Sequence, residues 1–387
     1  MKIVYCLPQL YHPGGIERIV SIKANYLVEF YGYDVTIIVA NQKGKIPFFK
    51  LNKKIKIVDL NIDYDYALSQ PLFKRLYLRH KLQKEHKKKL SKYLFTNHPD
   101  IVISTFTHEA AFLPEINDGS KKILEFHFCK GHKIKMAQAF HFGILTRLAY
   151  YYRCWQEENI IIPKYDQFIV LTKEDERNWK QKIHNVKHIS NILPFEKEGK
   201  AELTQKHVIA VGRLDGQKGF NRLIDIWALI APKHLDWILD IYGKGPDFKK
   251  LQSQIDNYGI NDTTIIHEPD QNIKEHYLNS SIFVMTSEYE GLPMTLLEAN
   301  GLGLPSVCYD FPCGPKDVIK DGINGFLVKN GDSGTFADRL LTLIENDNIR
   351  KHMGQEAFQM SERYSRRNIM REWVNLFNEL IKESIVR

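Results

Sequence analysis

Short apolar runs alternate along the chain with longer stretches whose apolar residues recur every three or four positions. The runs at residues 2–7, 34–40, 55–60, 100–105, 121–127 and 167–172 read as strands, each short and rich in Val, Ile and Leu. Residues 15–30, 72–97 and 172–182 carry helical spacing, and a further helix is expected within 136–157. Continuously apolar strands that alternate with helices predict βα units around a buried parallel sheet.

The pattern breaks at residues 191–205, where Pro194, Gly199 and a cluster of charges read as a linker. It then restarts, with strands expected at 207–211, 237–242, 263–267, 282–286, 306–309 and 325–328. Helices are expected at 221–231, 246–258 and 293–301, with helical pattern from 333 onward and a last segment at 366–385. The expected division is a doubly wound α/β domain over 1–191, a linker over 192–206, a second such domain over 207–365 and a terminal helix over 366–387 that packs back on the first domain. At roughly 100–200 residues per domain, 387 residues agree with two domains. Ligands of open parallel sheets bind beyond the carboxyl ends of the strands. Two such sheets face to face would enclose a cleft, so the residues just after each strand carry the most information.

Composition narrows the class. An apolar share of 43% and a charged share of 26% are those of a globular protein, not a disordered one. The opening residues meet Pro8 and His12 too soon for a secretory signal, and no window approaches 18 uncharged apolar residues, which argues against a spanning helix. Five cysteines, an odd number without a CxxC pair, are expected to be reduced thiols of a cytoplasmic protein, with no metal site. The net charge of +8 is concentrated: residues 74–92 hold nine Lys or Arg against Glu85 alone, which leaves the remainder near neutral. A local basic patch points to an anionic surface or substrate.

Three strand ends carry candidate chemistry. Tyr11-His-Pro-Gly14-Gly15 places a glycine pair before a helix, where backbone amides can approach an anion, although a plain β–α turn has the same form. Gly212-Arg213-Leu-Asp-Gly-Gln-Lys218-Gly219 sets two cations in a glycine-rich loop; Arg offers a planar fork to phosphate oxygens and Lys a mobile point charge. In Glu290-Gly291-Leu292-Pro293-Met-Thr-Leu-Leu-Glu298, Pro293 suits a first helical position, and the free amides between Gly291 and Met294 would face outward at a helix N-terminus. Glu290 and Glu298 beside that cradle suit sugar and ribose hydroxyls, which donate to carboxylates. Glu290 as a capping charge and Glu298 as a surface residue is the plainer alternative.

With these motifs in order, the chain resembles the retaining GT-B glycosyltransferases of family 4. Glu290 and Glu298 match that family's paired-glutamate motif, Arg213 and Lys218 its basic glycine loop, and Gly14–Gly15 its N-terminal glycine loop. Ile241-Tyr-Gly243-Lys-Gly245-Pro246, Gly314-Pro-Lys-Asp and Asn324-Gly325-Phe resemble later landmarks. The match is dense over 207–330 and sparse over 20–165. The resemblance implies a GT-B fold of two Rossmann-like domains facing across a cleft, the first on the acceptor side and the second binding a nucleotide sugar. It implies that Arg213 and Lys218 hold the donor pyrophosphate, that Glu298 holds the ribose and that Glu290 with the Gly291–Leu292 amides faces the transferred sugar. His127, Gly243, His267 and Pro269 would complete the site, His127 near the sugar and His267–Pro269 along the base. His127 as a packed strand-end histidine remains open, as does a structural role for His108, the weaker candidate on the acceptor side. The resemblance further implies retention of configuration; no residue of the sequence stands out as a covalent nucleophile, so front-face attack assisted by the leaving phosphate is expected.

The expected activity is therefore metal-independent hexosyl transfer from a UDP-sugar, of galactose or glucose type, to a glycan or lipid-linked acceptor of bacterial surface polysaccharide. No cofactor beyond the donor substrate is expected. Asp63-Tyr64-Asp65 has the form of a metal-binding Asp-x-Asp but sits far from the phosphate loops. Alternatives are a nucleotide-sugar epimerase or hydrolase of similar fold and a non-catalytic binding module. The basic helix matches no nucleic-acid module. Residues 72–95, together with Phe140, Phe142, Leu145, Tyr150, Tyr151, Tyr152 and Trp155 beside Lys133, Lys135, Arg147 and Arg153, suit an anionic membrane surface, which predicts peripheral docking on the inner face of the cell membrane.

Overall fold

The computed structural model describes residues 1–139, 142–196 and 198–385. One sheet has seven strands: β1 (Lys2–Leu7), β2 (Asp34–Val39), β3 (Lys56–Asp59), β4 (Ile101–Ser104), β5 (Lys121–Phe126), β6 (Gln167–Val170) and β7 (Val186–His188), in the order β3-β2-β1-β4-β5-β6-β7. A second has six: β8 (His207–Val211), β9 (Ile238–Tyr242), β10 (Thr264–His267), β11 (Ile282–Met285), β12 (Ser306–Asp310) and β13 (Gly325–Lys329), in the order β10-β9-β8-β11-β12-β13. Every pairing between these strands is parallel. Both sheets reverse their winding beside the first strand, at β1/β4 and at β8/β11, and so have the doubly wound α/β form.

The helices of the first half are α1 (Gly15–Tyr31), α2 (Tyr64–Leu68), α3 (Leu72–Asn97), α4 (His132–Ala139), α5 (Ile144–Gln156) and α6 (Lys173–Lys180). Those of the second are α7 (Phe220–Ile230), α8 (Phe248–Tyr258), α9 (Ile273–Leu278), α10 (Met294–Gly301), α11 (Pro315–Val318), α12 (Ser333–Glu345), α13 (Asp347–Met360) and α14 (Arg366–Ile385). Strand alternation sorts the first core into two layers. Ile3, Tyr5 and Leu7 of β1 join one buried cluster, whereas Val4 and Cys6 join the cluster on the opposite face. Ile369, Met370, Trp373, Phe377 and Leu380 of α14 complete the first of these, so the chain's last helix lies in the core of its first sheet. The second sheet has a single large core that includes Trp227, Phe283 and Phe336.

Three local expectations change. β7 is an additional edge strand of three residues, too short to show a period. The helix expected within 136–157 is two helices, with Gly143 in extended conformation capping α5. Phe140, from the expected aromatic row, lies outside the described residues. Pro293 stands at the N-cap of α10 rather than at its first helical position, because its ψ of 93° is not helical.

Candidate functional site

The loops after β8, β9 and β11 are fitted to one another backbone to backbone. A Cβ at Gly243 would stand 2.0 Å from the Gly212 carbonyl oxygen, and only glycine permits that approach. Gly219 caps α7 at φ +64°, and a Cβ there would lie 2.4 Å from the Thr286 carbonyl. Gln217 buckles the loops together. Its carbonyl accepts from Glu288 N–H at 2.8 Å, its Nε2 donates to the Tyr289 carbonyl at 2.9 Å, and its Oε1 accepts from Arg213 Nη2 at 2.9 Å.

Held in this way, Lys218 Nζ lies 2.6 Å from Glu290 Oε1, which also accepts from Ser287 Oγ at 2.9 Å. Both side chains of the ion pair are largely buried. Arg213 is more open: its guanidinium pairs with Asp215 at 2.9 Å while most of the side chain faces solvent. Glu298, in the second turn of α10, is buried and accepts from Tyr277 Oη at 3.2 Å and from Arg18 Nη1 of α1 at 3.0 Å. Burial raises the Glu298 pKa, while Arg18 and Tyr277 oppose the rise.

The opposite wall comes from the first sheet. His127 follows β5; its carbonyl oxygen lies where a Cβ on Gly291 would come within 2.3 Å, so the two halves meet closely at this point. Its Nε2 is 3.3 Å from Glu125 Oε1 but without the alignment of a hydrogen bond. Burial lowers the His127 pKa to about 4, against the pull of Glu125, so the ring is neutral at pH 7. Glu125 is itself buried with Lys23, whose Nζ is 2.6 Å away.

Gly15, His127, Arg213, Lys218, Glu290, Gly291 and Leu292 therefore line one interdomain cavity of about 530 Å³. Gly14 adjoins it as the N-cap of α1, Glu298 lies behind it on α10, and Gly243 supports the loop beneath. His267 and Pro269 do not line this cavity. His267 stacks on Tyr242 with centroids 4.4 Å apart, and its Nε2 is 2.7 Å from Asp240 in a neighbouring hollow, while Pro269 is exposed. His108 stacks on Tyr64 at 3.7 Å. Asp63 caps α2 and Asp65 pairs with Lys43 at 2.6 Å, so both carboxylates of the Asp-x-Asp have protein partners; among the described residues no cluster suited to a metal is found.

Several lining residues went unforeseen: Phe128, Cys129, His132, Met136, Gln217 and Tyr289. The first four belong to an irregular loop and the start of α4, where no period marks a face. Arg18 had a readable signal, since it follows Gly15 by three positions and so shares the first turn of α1. A larger cavity of about 930 Å³, bounded by Tyr26, Lys50, Glu196 and Arg366, contains none of the expected site residues.

Residues 194–360 match the family model described as glycosyl transferases group 1. An amylovoran biosynthesis glycosyltransferase of Erwinia amylovora is 34% identical over 222 residues, 55% of this chain and 62% of that protein. An uncharacterized glycosyltransferase of Haemophilus influenzae is 28% identical over 380 residues, 96% of this chain and 98% of that protein. The crystal structure of TarM superposes with a TM-score of 0.77 at 18% identity, covering 97% of this chain and 98% of that one; a variant of the S. aureus protein has been crystallised with fondaparinux, α-GlcNAc-glycerol and UDP. The fold is GT-B: two Rossmann-like domains with the cavity between them.

Proposed function

From the match of residues 194–360 to the glycosyl transferases group 1 model, we propose that this chain moves a hexose of galactose or glucose type from a UDP-sugar to a glycan or lipid-linked acceptor in bacterial surface polysaccharide synthesis. The convergence of Lys218, Glu290, the Gly291–Leu292 backbone and His127 on one interdomain cavity carries this reading. Departure of a nucleoside diphosphate builds negative charge on its oxygens. Lys218 and Arg213, beside the amides that precede α10, are preorganised donors for that charge. They supply positive charge at the diphosphate, so transfer is proposed to be metal-independent. Glu298 accepts from the ribose hydroxyls. Neutral His127 is available to hydrogen-bond the sugar.

The Glu290 carboxylate is engaged by Lys218 and Ser287, so the proposed course is front-face attack with retention, the leaving phosphate taking the acceptor proton. A panel of sugar nucleotides screened by thermal shift, followed by transfer and hydrolysis assays with the best binder, tests the activity. Product anomeric configuration by NMR tests retention, and an unchanged rate in EDTA tests metal independence. Binding of no sugar nucleotide would overturn the proposal.

The acceptor side of the proposal includes an anionic membrane on the cytoplasmic face. No helix among the described residues is long and apolar enough to cross a membrane. Helix α5 instead exposes Ile144, Leu145, Leu148, Tyr151, Tyr152 and Trp155, a single face at helical spacing flanked by Arg147 and Arg153. Leu145 is 79% exposed. Helix α3 adds exposed Phe73, Leu76 and Tyr77 at the start of the basic segment. Flotation with vesicles containing anionic lipid, abolished by Leu145→Asp with Trp155→Asp and absent with neutral vesicles, is the expected result. Equal flotation with both vesicle types would refute the charge argument.

A further inference from the structure

Two cysteines from opposite sheets meet at the edge of the interdomain cavity. Cys129 follows β5 and lines the cavity; Cys313 follows β12. With Tyr289 they form a small buried cluster against which Met136 packs. The other three cysteines are also buried; Cys6 and Cys308 belong to the main cores and Cys154 to α5.

The surroundings of the pair are asymmetric. Lys135 Nζ is 3.5 Å from Cys129 Sγ. Cys313 Sγ instead donates to Asp175 Oδ1 at 3.1 Å, and its backbone N–H donates to Glu174 at 3.3 Å, so α6 of the first domain holds this loop of the second. Cys313 is held at φ +68°, a left-handed conformation uncommon for a residue with a Cβ. The neighbouring Cys313 thiol, and Lys135 after it, lower the pKa of Cys129 despite burial. Hydrogen bonding to Cys129, then burial and Asp175, raise that of Cys313. Lys135 beside Cys129 favours its thiolate, and Cys313 has the Asp175 carboxylate to take its proton.

We propose that Cys129 and Cys313 are an oxidative modification site, a dithiol that a small disulfide oxidant converts into an interdomain disulfide, locking the cleft closed. The Cys129 thiolate attacks one sulfur of the oxidant, whose S–S bond breaks; one half departs as a thiolate and a mixed disulfide forms. Cys313 then gives its proton to Asp175, and its sulfur attacks Cys129 Sγ, expelling the second half as a thiolate. Two electrons and two protons pass to the oxidant, which leaves as two thiols. Both cysteines are 1% exposed, so the first attack requires the cleft to open and the second requires it to close. In reducing compartments such disulfides are characteristically transient and regulatory.

The modification is independent of the proposed sugar transfer; only its effect on turnover rests on that reading. The full chain, incubated with oxidised glutathione, is mapped by non-reducing peptide mass spectrometry. The expected product is a Cys129–Cys313 cross-linked peptide that dithiothreitol removes and that neither Cys313→Ser nor Cys129→Ser forms. The cross-linked fraction should lose donor binding at least tenfold and regain it on reduction, whereas Cys313→Ser keeps its binding under oxidant. Glutathione adducts on these or other cysteines without the 129–313 link would overturn the proposal, whether or not the chain transfers sugar. A link that leaves donor exchange unchanged would overturn the locking role.

Discussion

Arg18 Nη1 donates to Glu298 Oε1 at 3.0 Å, joining the first helix of one domain to the helix that follows β11 in the other. The guanidinium also lies 5.0 Å from the Phe195 ring centroid, so the bridge is braced where the chain passes between domains. Arg18 thus keeps a buried carboxylate compensated.

Replacement of Arg18 by Ala should weaken donor binding about tenfold, or about 1.4 kcal/mol. That is the scale of a hydrogen bond to a charged group, and it removes the cation that offsets burial at Glu298. Isothermal calorimetry with the donor nucleotide measures it. An unchanged dissociation constant in Arg18→Ala would separate Glu298 from the ribose.

The two cations of the β8 loop should not weigh equally. Lys218 is largely buried against Glu290, whereas Arg213 faces solvent. Charge stabilisation is stronger where water is excluded. Lys218→Ala should lose roughly 10²-fold or more in kcat, the scale of one oxyanion-type donor, and Arg213→Ala should lose less. Near-normal turnover in both variants would remove the diphosphate assignment.

Much of this arrangement was legible in the sequence because backbone demands and charge leave local marks. Gly212, Gly219 and Gly291 stand where a Cβ would crowd a neighbouring backbone or side chain, and Lys218 and Glu290 stand beside them. Gln217 reaches Tyr289, a partner distant in sequence, and no local period announces a contact made only in the folded chain. The same holds for β7, where only Val186 of the three residues is buried, and for the break between α4 and α5. His267 ends a strand as expected, but its side chain turns to Asp240, a direction set by packing with Tyr242.

Four histidines of the first domain make stability pH-dependent. Burial lowers the pKa of His86, His108 and His127 to about 4 and that of His132 to about 3, from 6.5. The unfolded chain therefore takes up protons at a higher pH than the folded chain does. The stability these rings retain is complete above pH 6.5 and is lost as pH falls through the folded values. The melting temperature should drop progressively between pH 7 and pH 5. His86, whose Nδ1 lies 3.1 Å from Tyr64 Oη, is remote from the cavity lining, so His86→Gln should flatten the slope without affecting donor binding. Parallel slopes in the two proteins would contradict this.

The buried pair Lys23–Glu125 gives a sharper test, because its single and double variants should differ in kind. Both side chains are 1% exposed. Burial lowers the Lys23 pKa. Burial alone would raise Glu125, but Lys23 and then His127 outweigh it and leave the carboxyl below its usual value. Lys23 Nζ also lies 4.1 Å from the Trp373 ring centroid, so the pair sits where α14 returns to the first sheet. Lys23→Met strands a carboxylate in the core and should cost about 3–5 kcal/mol in urea unfolding. Lys23→Met with Glu125→Leu removes both charges from a site lined by Tyr5 and Trp373, and should recover most of that loss. A double variant no more stable than the single would show that the ion pair itself, rather than the avoidance of an unpaired charge, holds this junction together.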